Sequence, residues 1–376
     1  MKKANIQGLV AAADDGSFSS RIRAWRLFGG FACTALTAAS LLFADSYAAE
    51  MRMDTNKPLG PPPPITASDV SAFISGHSLT AVPFPVFLSE MTSSTGRTMD
   101  WSMQQASGSS IKDRLVMGHS FHGSSKPYDI LIVTEMHALL DSLMWHETSA
   151  SLIDLHNRFI AAAPTGQTYF FTPWLSLSDR KDPRSWIDYE RRAFPVWACI
   201  IEHLNERLAN DGRTDRIHIL PASLALAFLI DRLQSLPKPT HGAGPEADEG
   251  RWIASIFDDD VHLSALGNYY LSVISTTWIV GAKAENLPMP TSVDGPDADL
   301  VRTIAGEFAT HFDQAQLDGR QACQARARFA FIGHYIRYTN ANLSWNDFPA
   351  LTKEVVRLVR FAWHFRRSFH IDPRSS

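Results

Sequence analysis

Two short blocks carry residue types that together perform acyl-transfer chemistry. The first is Ser75-Gly76-His77-Ser78-Leu79-Thr80. A serine hydroxyl becomes a nucleophile when a neighbouring base takes its proton, and a nearby glycine permits a tight turn. In such a turn the backbone N–H of Ser78 faces the oxyanion that develops on an attacked carbonyl. The second block is Asp258-Asp259-Asp260-Val261-His262-Leu263-Ser264. Asp259 and His262 stand three apart, so a single turn sets carboxylate and imidazole on one side. The carboxylate would hold Nδ1–H and leave Nε2 as general base for a serine hydroxyl. Each block alone has a plainer reading. Gly-x-Ser turns are common, an isolated Asp-x-x-His is usually a surface turn, and three aspartates also suit a solvated loop or a weak cation site.

The elements around these blocks place them at the rim of a sheet. Val70, Phe73 and Ile74 suit a strand ending at Ser75-Gly76, which puts Ser78 at a strand's carboxyl end, where open α/β sheets build their sites. Tyr128–Val133 is a compact β-branched run of the kind found in buried parallel strands. Leu152, Leu155, Phe159 and Ile160 fall at helical spacing between Thr148 and Ala163. Gln167–Phe171 predicts the next strand, residues 188–210 a helix closed by Asn210-Asp211-Gly212, and Arg216–Pro221 a further strand. This alternation predicts a doubly wound α/β sheet with both faces covered. Residues 237–250 and 285–298 are rich in breakers and predict loops. Beyond them, 300–338 and 351–369 look helical.

Together the two blocks resemble the SGNH (GDSL-type) hydrolase superfamily, in order and spacing, over about residues 68–285. The resemblance implies a three-layer α/β/α, flavodoxin-like fold, here with a helical C-terminal extension. It also implies Ser78 as nucleophile, His262 as base and Asp259 as its orienter. The family places a glycine after the second strand in the oxyanion hole, and Gln105-Ala106-Ser107-Gly108-Ser109-Ser110 supplies Gly108 beside the N–H of Ser78. The family's Gly-x-Asn-Asp block is replaced by Thr134-Glu135-Met136-His137, so its asparagine donor is missing. Losing one such donor typically costs roughly 3–4 kcal/mol in the barrier. His137, or a side chain from Trp145-His146-Glu147, is the candidate substitute, and Glu135 and His146 are expected to flank the site or to form a buried polar pair. This variant looks like a divergent bacterial branch of the superfamily. The resemblance implies a serine esterase acting on a small-acyl ester, with an acetylated polysaccharide as the analogous substrate. A catalytically weak glycan-binding protein and an O-acyltransferase are the alternatives.

Composition narrows the remaining classes. The chain has 376 residues, 45% of them apolar, which suits two or three domains or one large domain with an appendage. Thirty-five Lys and Arg against 39 Asp and Glu leave no global nucleic-acid footprint. Lys2, Lys3, Arg21, Arg23 and Arg26 precede an apolar run from Leu27 to Ala44 and the small residues Ala48-Ala49. That is the pattern of a secretory signal over 1–49, or an uncleaved anchor, and it predicts a periplasmic or secreted protein. Residues 50–67 hold Pro61–Pro64 and read as an extended linker before an α/β domain at 68–290 and the helical extension at 291–376. Of three cysteines, Cys199 and Cys323 follow the leader and form either a bridge or two buried thiols. His119 and His122 lack a third ligand at a telling distance, so no metal and no cofactor is expected. Trp174 and Trp186 are candidate sugar platforms or core residues. The basic amphipathic stretch Lys353–Arg367 packs on its own domain or lies on an anionic membrane.

Overall fold

The computed structural model describes residues 64–236 except 119, 122, 124 and 125, residues 251–319 except 294, residues 330–339, and positions 352, 356, 359 and 360. The leader, most of the linker, the His119/His122 pair, the 237–250 loop, Cys323 and most of Lys353–Arg367 lie outside these residues. All described residues belong to the unit Thr55–Ser376.

Five parallel strands form one sheet in the order β2-β1-β3-β4-β5. They are β1 (Asp69–Gly76), β2 (Thr98–Gln105), β3 (Ile130–Thr134), β4 (Gln167–Phe171) and β5 (Ile217–Leu220). In β1 every residue after Asp69 is buried, and in β3 every residue is buried, as continuous apolar runs require when both faces are covered. The edge strand β2 buries only Met99 fully, which is why its sequence Thr-Met-Asp-Trp-Ser-Met-Gln-Gln carries no such run. The register sets Gly76 beside Gln105 and Ser75 beside Val133. The carboxyl ends of β2, β1 and β3 therefore line up.

Helix α1 (Phe84–Ser94) connects β1 to β2, and α2 (Ile111–Met117) connects β2 back past β1 to β3. Because the direction of travel reverses between them, right-handed crossovers put α1 and α2 on opposite faces. Next come α3 (Leu139–Trp145), α4 (Thr148–Ala162), α5 (Arg184–Asn210), α6 (Ala222–Ser235), α7 (Arg251–Ile256) and α8 (Ala265–Val280). α8 packs on α1, and α4 on α2. The reversal makes the crevice between the carboxyl ends of β1 and β3 the topological switch point, the place where such sheets bind ligands.

The C-terminal part is helical, with α9 (Pro296–Gly319) and α10 (Ala330–Thr339). α9 lies on α8 and α6 and buries Val301, Ile304, Ala305, Phe308 and Phe312. α10 lies on α5, where Phe331 and Tyr335 are buried beside Tyr189. No helix among the described residues is long and apolar enough to cross a membrane.

Candidate functional site

The turn after β1 is shaped by its own side chains. A Cβ on Gly76 would stand 1.9 Å from Thr80 Oγ1, so any other residue there must displace the Thr80 side chain. His77 is buried, with Nε2–H donating to Glu135 O at 2.8 Å while Nδ1 accepts Leu79 N–H at 3.5 Å. Both ring nitrogens are thus used in one neutral tautomer. Burial lowers its pKa to about 3, against the pull of the Glu135 carbonyl. His77 therefore ties the β1 turn to the β3 turn. Ser78 opens the 3₁₀ turn Ser78–Thr80 and stays partly exposed.

The acid–base loop closes on itself between α7 and α8. Asp258 N–H donates to His262 O at 2.9 Å, and Phe257 bridges Leu263. Asp259 Oδ1 accepts Val261 N–H at 2.7 Å and His262 N–H at 2.6 Å, while Oδ2 accepts His262 Nδ1–H at 2.6 Å. The imidazole hydrogen bond, followed by the backbone donors, holds the Asp259 carboxyl down at about 2. A carboxylate on Nδ1 leaves Nε2 to take a proton. Asp259 and His262 are 56% and 44% exposed, so the pair sits at an open surface rather than in a cavity.

His262 lies within electrostatic reach of His77 and His137, which stand just after β1 and β3. Among the described residues no hydrogen bond joins Ser78 Oγ to His262 Nε2. The β2 end completes this corner, since Ala106 N–H donates to Gly76 O at 3.1 Å. Two residues on, exposed Gly108 has φ +64°, the left-handed region that favours glycine. Neither Ser78 N–H nor Gly108 N–H donates a hydrogen bond among the described residues. Ser110 then starts α2 with a reciprocal cap, its hydroxyl accepting Asp113 N–H while Asp113 Oδ2 accepts Ser110 N–H.

A buried brace underlies this corner, and sequence inspection missed it. Arg114 on α2 is fully buried, with Nε donating to Ser75 Oγ at 3.0 Å, one Nη to Ser109 O at 2.8 Å, and the other to Thr134 O. It thus pins β1, the Gly108 loop and β3 together. Burial lowers its pKa to about 10, opposed by Glu135 and Asp113. Glu135 is fully buried, and Oε1 accepts Ile111 N–H at 3.1 Å and Met136 N–H at 2.8 Å. Burial raises the carboxyl, against those donors and Arg114. Glu135 is therefore a support beneath the Gly108 loop. The only sequence signal for Arg114 is an arginine at the inner position of an amphipathic turn, which reads as a surface charge.

These contacts bear on the alternatives that the sequence left open. His137 Nδ1 lies 3.0 Å from Trp174 O, and a carbonyl only accepts, so Nδ1 carries the proton. Burial lowers the pKa of His137, opposed by the Trp174 carbonyl, so the neutral ring presents Nε2 as an acceptor. His146 ends α3 and lies within electrostatic reach of Asp113 on α2. Among the described residues no hydrogen bond joins it to Glu135, whose Oε1 accepts backbone N–H groups. Trp145 is 54% exposed at the end of α3. Trp174 and Trp186 are fully buried and offer no sugar platform; their indole N–H groups donate to Val261 O at 2.9 Å and Leu175 O at 2.7 Å. Cys199 is disulfide-bonded, and Cys323 lies outside the described residues.

Among the described residues no three His, Cys, Asp or Glu side chains converge as metal ligands would. A groove of about 360 Å³ lies between α2 and α4, lined by Lys112, Val116, Glu147 and Arg158 among others. It contains none of Ser78, Gly108, Asp259 or His262.

No protein-family model matches the chain, and no curated protein matches it. Two solved structures are similar. A DUF4886 family protein from Bacteroides uniformis is 13% identical with a TM-score of 0.44, over 65% of this chain and 96% of that one. A carbohydrate esterase family 2 enzyme with a carbohydrate-binding domain, from Corynascus thermopiles (Myceliophthora fergusii), is 13% identical with a TM-score of 0.31, over 57% of this chain and 66% of that one. At that identity and overlap, neither likeness assigns an activity to this chain.

Proposed function

We propose that this chain is a serine esterase of SGNH type, with Ser78 as nucleophile, His262 as general base and Asp259 as its orienter. The observation that carries the reading is the Asp259–His262 pair. Its 2.6 Å contact selects the imidazole tautomer, two backbone donors hold the other carboxylate oxygen, and His262 is within electrostatic reach of His77, the neighbour of Ser78. Ser78 Oγ attacks an ester carbonyl while its proton passes to His262 Nε2. The tetrahedral oxyanion takes the free N–H groups of Ser78 and Gly108. Collapse expels the alcohol, which leaves with the proton from His262. Water then attacks the acyl-serine by the same route and releases the acid.

The half-exposed dyad suits a small acyl group on a large carrier, because nothing has to be swallowed whole. An acetylated polysaccharide outside the cytoplasm fits that opening and the leader-like residues 1–49. A catalytically weak glycan-binding protein is the second reading. It is favoured by one observation: His137, a candidate substitute for the missing donor, presents an acceptor instead.

Hydrolysis of p-nitrophenyl acetate by the purified chain, with Ser78→Ala beside it, separates the two. The esterase reading expects turnover in the wild type and only background in the variant. Equal rates in both would overturn it. Retention on acetylated glycan without turnover would favour the binding protein.

A further inference from the structure

We propose that Tyr338, on the C-terminal helix α10, is a positioning residue for the Asp259–His262 pair, acting through the loop after β4. The proposal rests on the reading above.

The bonds within the acid–base loop fix His262 relative to Asp259, but they do not place the pair relative to Ser78. That placement needs contacts from outside the loop. Two of them come from the segment after β4. Trp174 Nε1–H donates to Val261 O at 2.9 Å, and Leu177 N–H donates to Asp260 O at 2.7 Å. These are the two carbonyls immediately before His262. Arg180 adds a third contact, donating to Phe257 O at 3.0 Å.

Tyr338 fixes the segment itself. Its Oη donates to Ser176 O at 2.6 Å and accepts Ser178 N–H at 3.2 Å. One phenol oxygen therefore clasps the residues on either side of Leu177, the residue that reaches Asp260. The ring is held in turn, stacked on Tyr189 of α5 with centroids 4.7 Å apart and planes 21° apart. α10 is anchored further by Tyr335 Oη donating to Asp141 at 2.7 Å and by His334 meeting Asp188 at 2.8 Å. A chain of short contacts thus runs from α10 through Ser176–Ser178 to Asp260 and so to His262. The C-terminal extension, on this account, completes the site.

Tyr338→Phe tests this in the full chain, because it keeps the stacked ring and removes only the hydroxyl. Two readouts are taken at a temperature where both proteins are folded. One is kcat and KM on p-nitrophenyl acetate. The other is the NMR resonance of the His262 Nδ1 proton in histidine-labelled protein, identified by its loss in His262→Gln. We expect kcat to fall roughly 10- to 100-fold with KM little changed, as for a misplaced catalytic group. We also expect the Nδ1 resonance to shift or broaden. Gly333→Ala, on the same helix but adding its methyl to open space, is expected to change neither. An unchanged resonance and kcat in Tyr338→Phe would overturn the proposal, and so would equal losses in Gly333→Ala. If the wild type cleaves no ester, the resonance alone decides. A shift in Tyr338→Phe then upholds the positioning role while the esterase reading falls, and no shift removes both.

Discussion

Glu190 offers a quantitative test of how the segment after β4 is held. Its side chain is fully buried on α5, where Oε1 accepts Leu175 N–H at 2.7 Å and Oε2 meets no partner among the described residues. Burial drives the carboxyl well above its ordinary 4.5, opposed only by that hydrogen bond. In the unfolded chain Glu190 ionises near its ordinary value. Below that pH both states hold the proton and the residue makes no pH-dependent difference. Above it the unfolded state loses the proton and the folded state keeps it, so stability declines as pH rises until the folded carboxyl itself titrates. The slope is about 1.4 kcal/mol per pH unit wherever only the folded state holds the proton. Glu190→Gln keeps the acceptor for Leu175 and removes the titration. The amide N–H₂ replaces an equally unpartnered carboxyl O–H, so the burial cost is similar in both. Urea unfolding followed by tryptophan fluorescence, at several pH values from 4 to 7, is the assay. The two proteins should be nearly equal at pH 4, with the variant moving ahead as pH rises above the ordinary carboxyl range. Glu135 is also raised by burial, but it is present in both proteins and cancels. A difference that stays constant across this range would refute the reasoning.

Three further outcomes follow from the site. Asp259→Asn should lower kcat on p-nitrophenyl acetate by about 10³- to 10⁴-fold, because an amide no longer selects the Nδ1–H tautomer of His262. Arg114→Met should lower the unfolding free energy by about 3–5 kcal/mol, since it strands Glu135 and the carbonyls of Ser109 and Thr134. Adding Glu135→Gln should recover part of that loss in the same denaturant titration. Gly76→Ala should cost about 1–3 kcal/mol by crowding Thr80, and Thr80→Ala in the same chain should recover most of it, read from the thermal midpoint. Additive losses would show that the Thr80 contact is not the cause.

The parts of the fold that were legible in sequence are those with a strong period or a continuous apolar run. Strands β1, β3, β4 and β5 are buried on both faces and announce themselves. The edge strand β2 does not, because one alternating polar strand resembles a loop. The Asp259–His262 pair was legible because three-residue spacing is a local geometry that a single turn realises. The bracing of the site was not. Arg114, Glu190 and Tyr338 act through partners as far as 39, 15 and 162 positions away, Ser75, Leu175 and Ser176, and nothing in their own surroundings marks them as buried or bonded. The alternatives left open at His137 and Trp174 needed the same long-range information. A type of side chain suggests a role, but its hydrogen-bond partner decides it, and here each bonds to a backbone carbonyl.

The central claim is that Ser78 is made nucleophilic by the Asp259–His262 pair. The most direct measurement is labelling of the folded chain with a fluorophosphonate, with the adduct located by peptide mass spectrometry. The account predicts one adduct, on Ser78, formed far more slowly when His262 is replaced by alanine. A folded wild type that takes no label, or takes it on another serine, would contradict it.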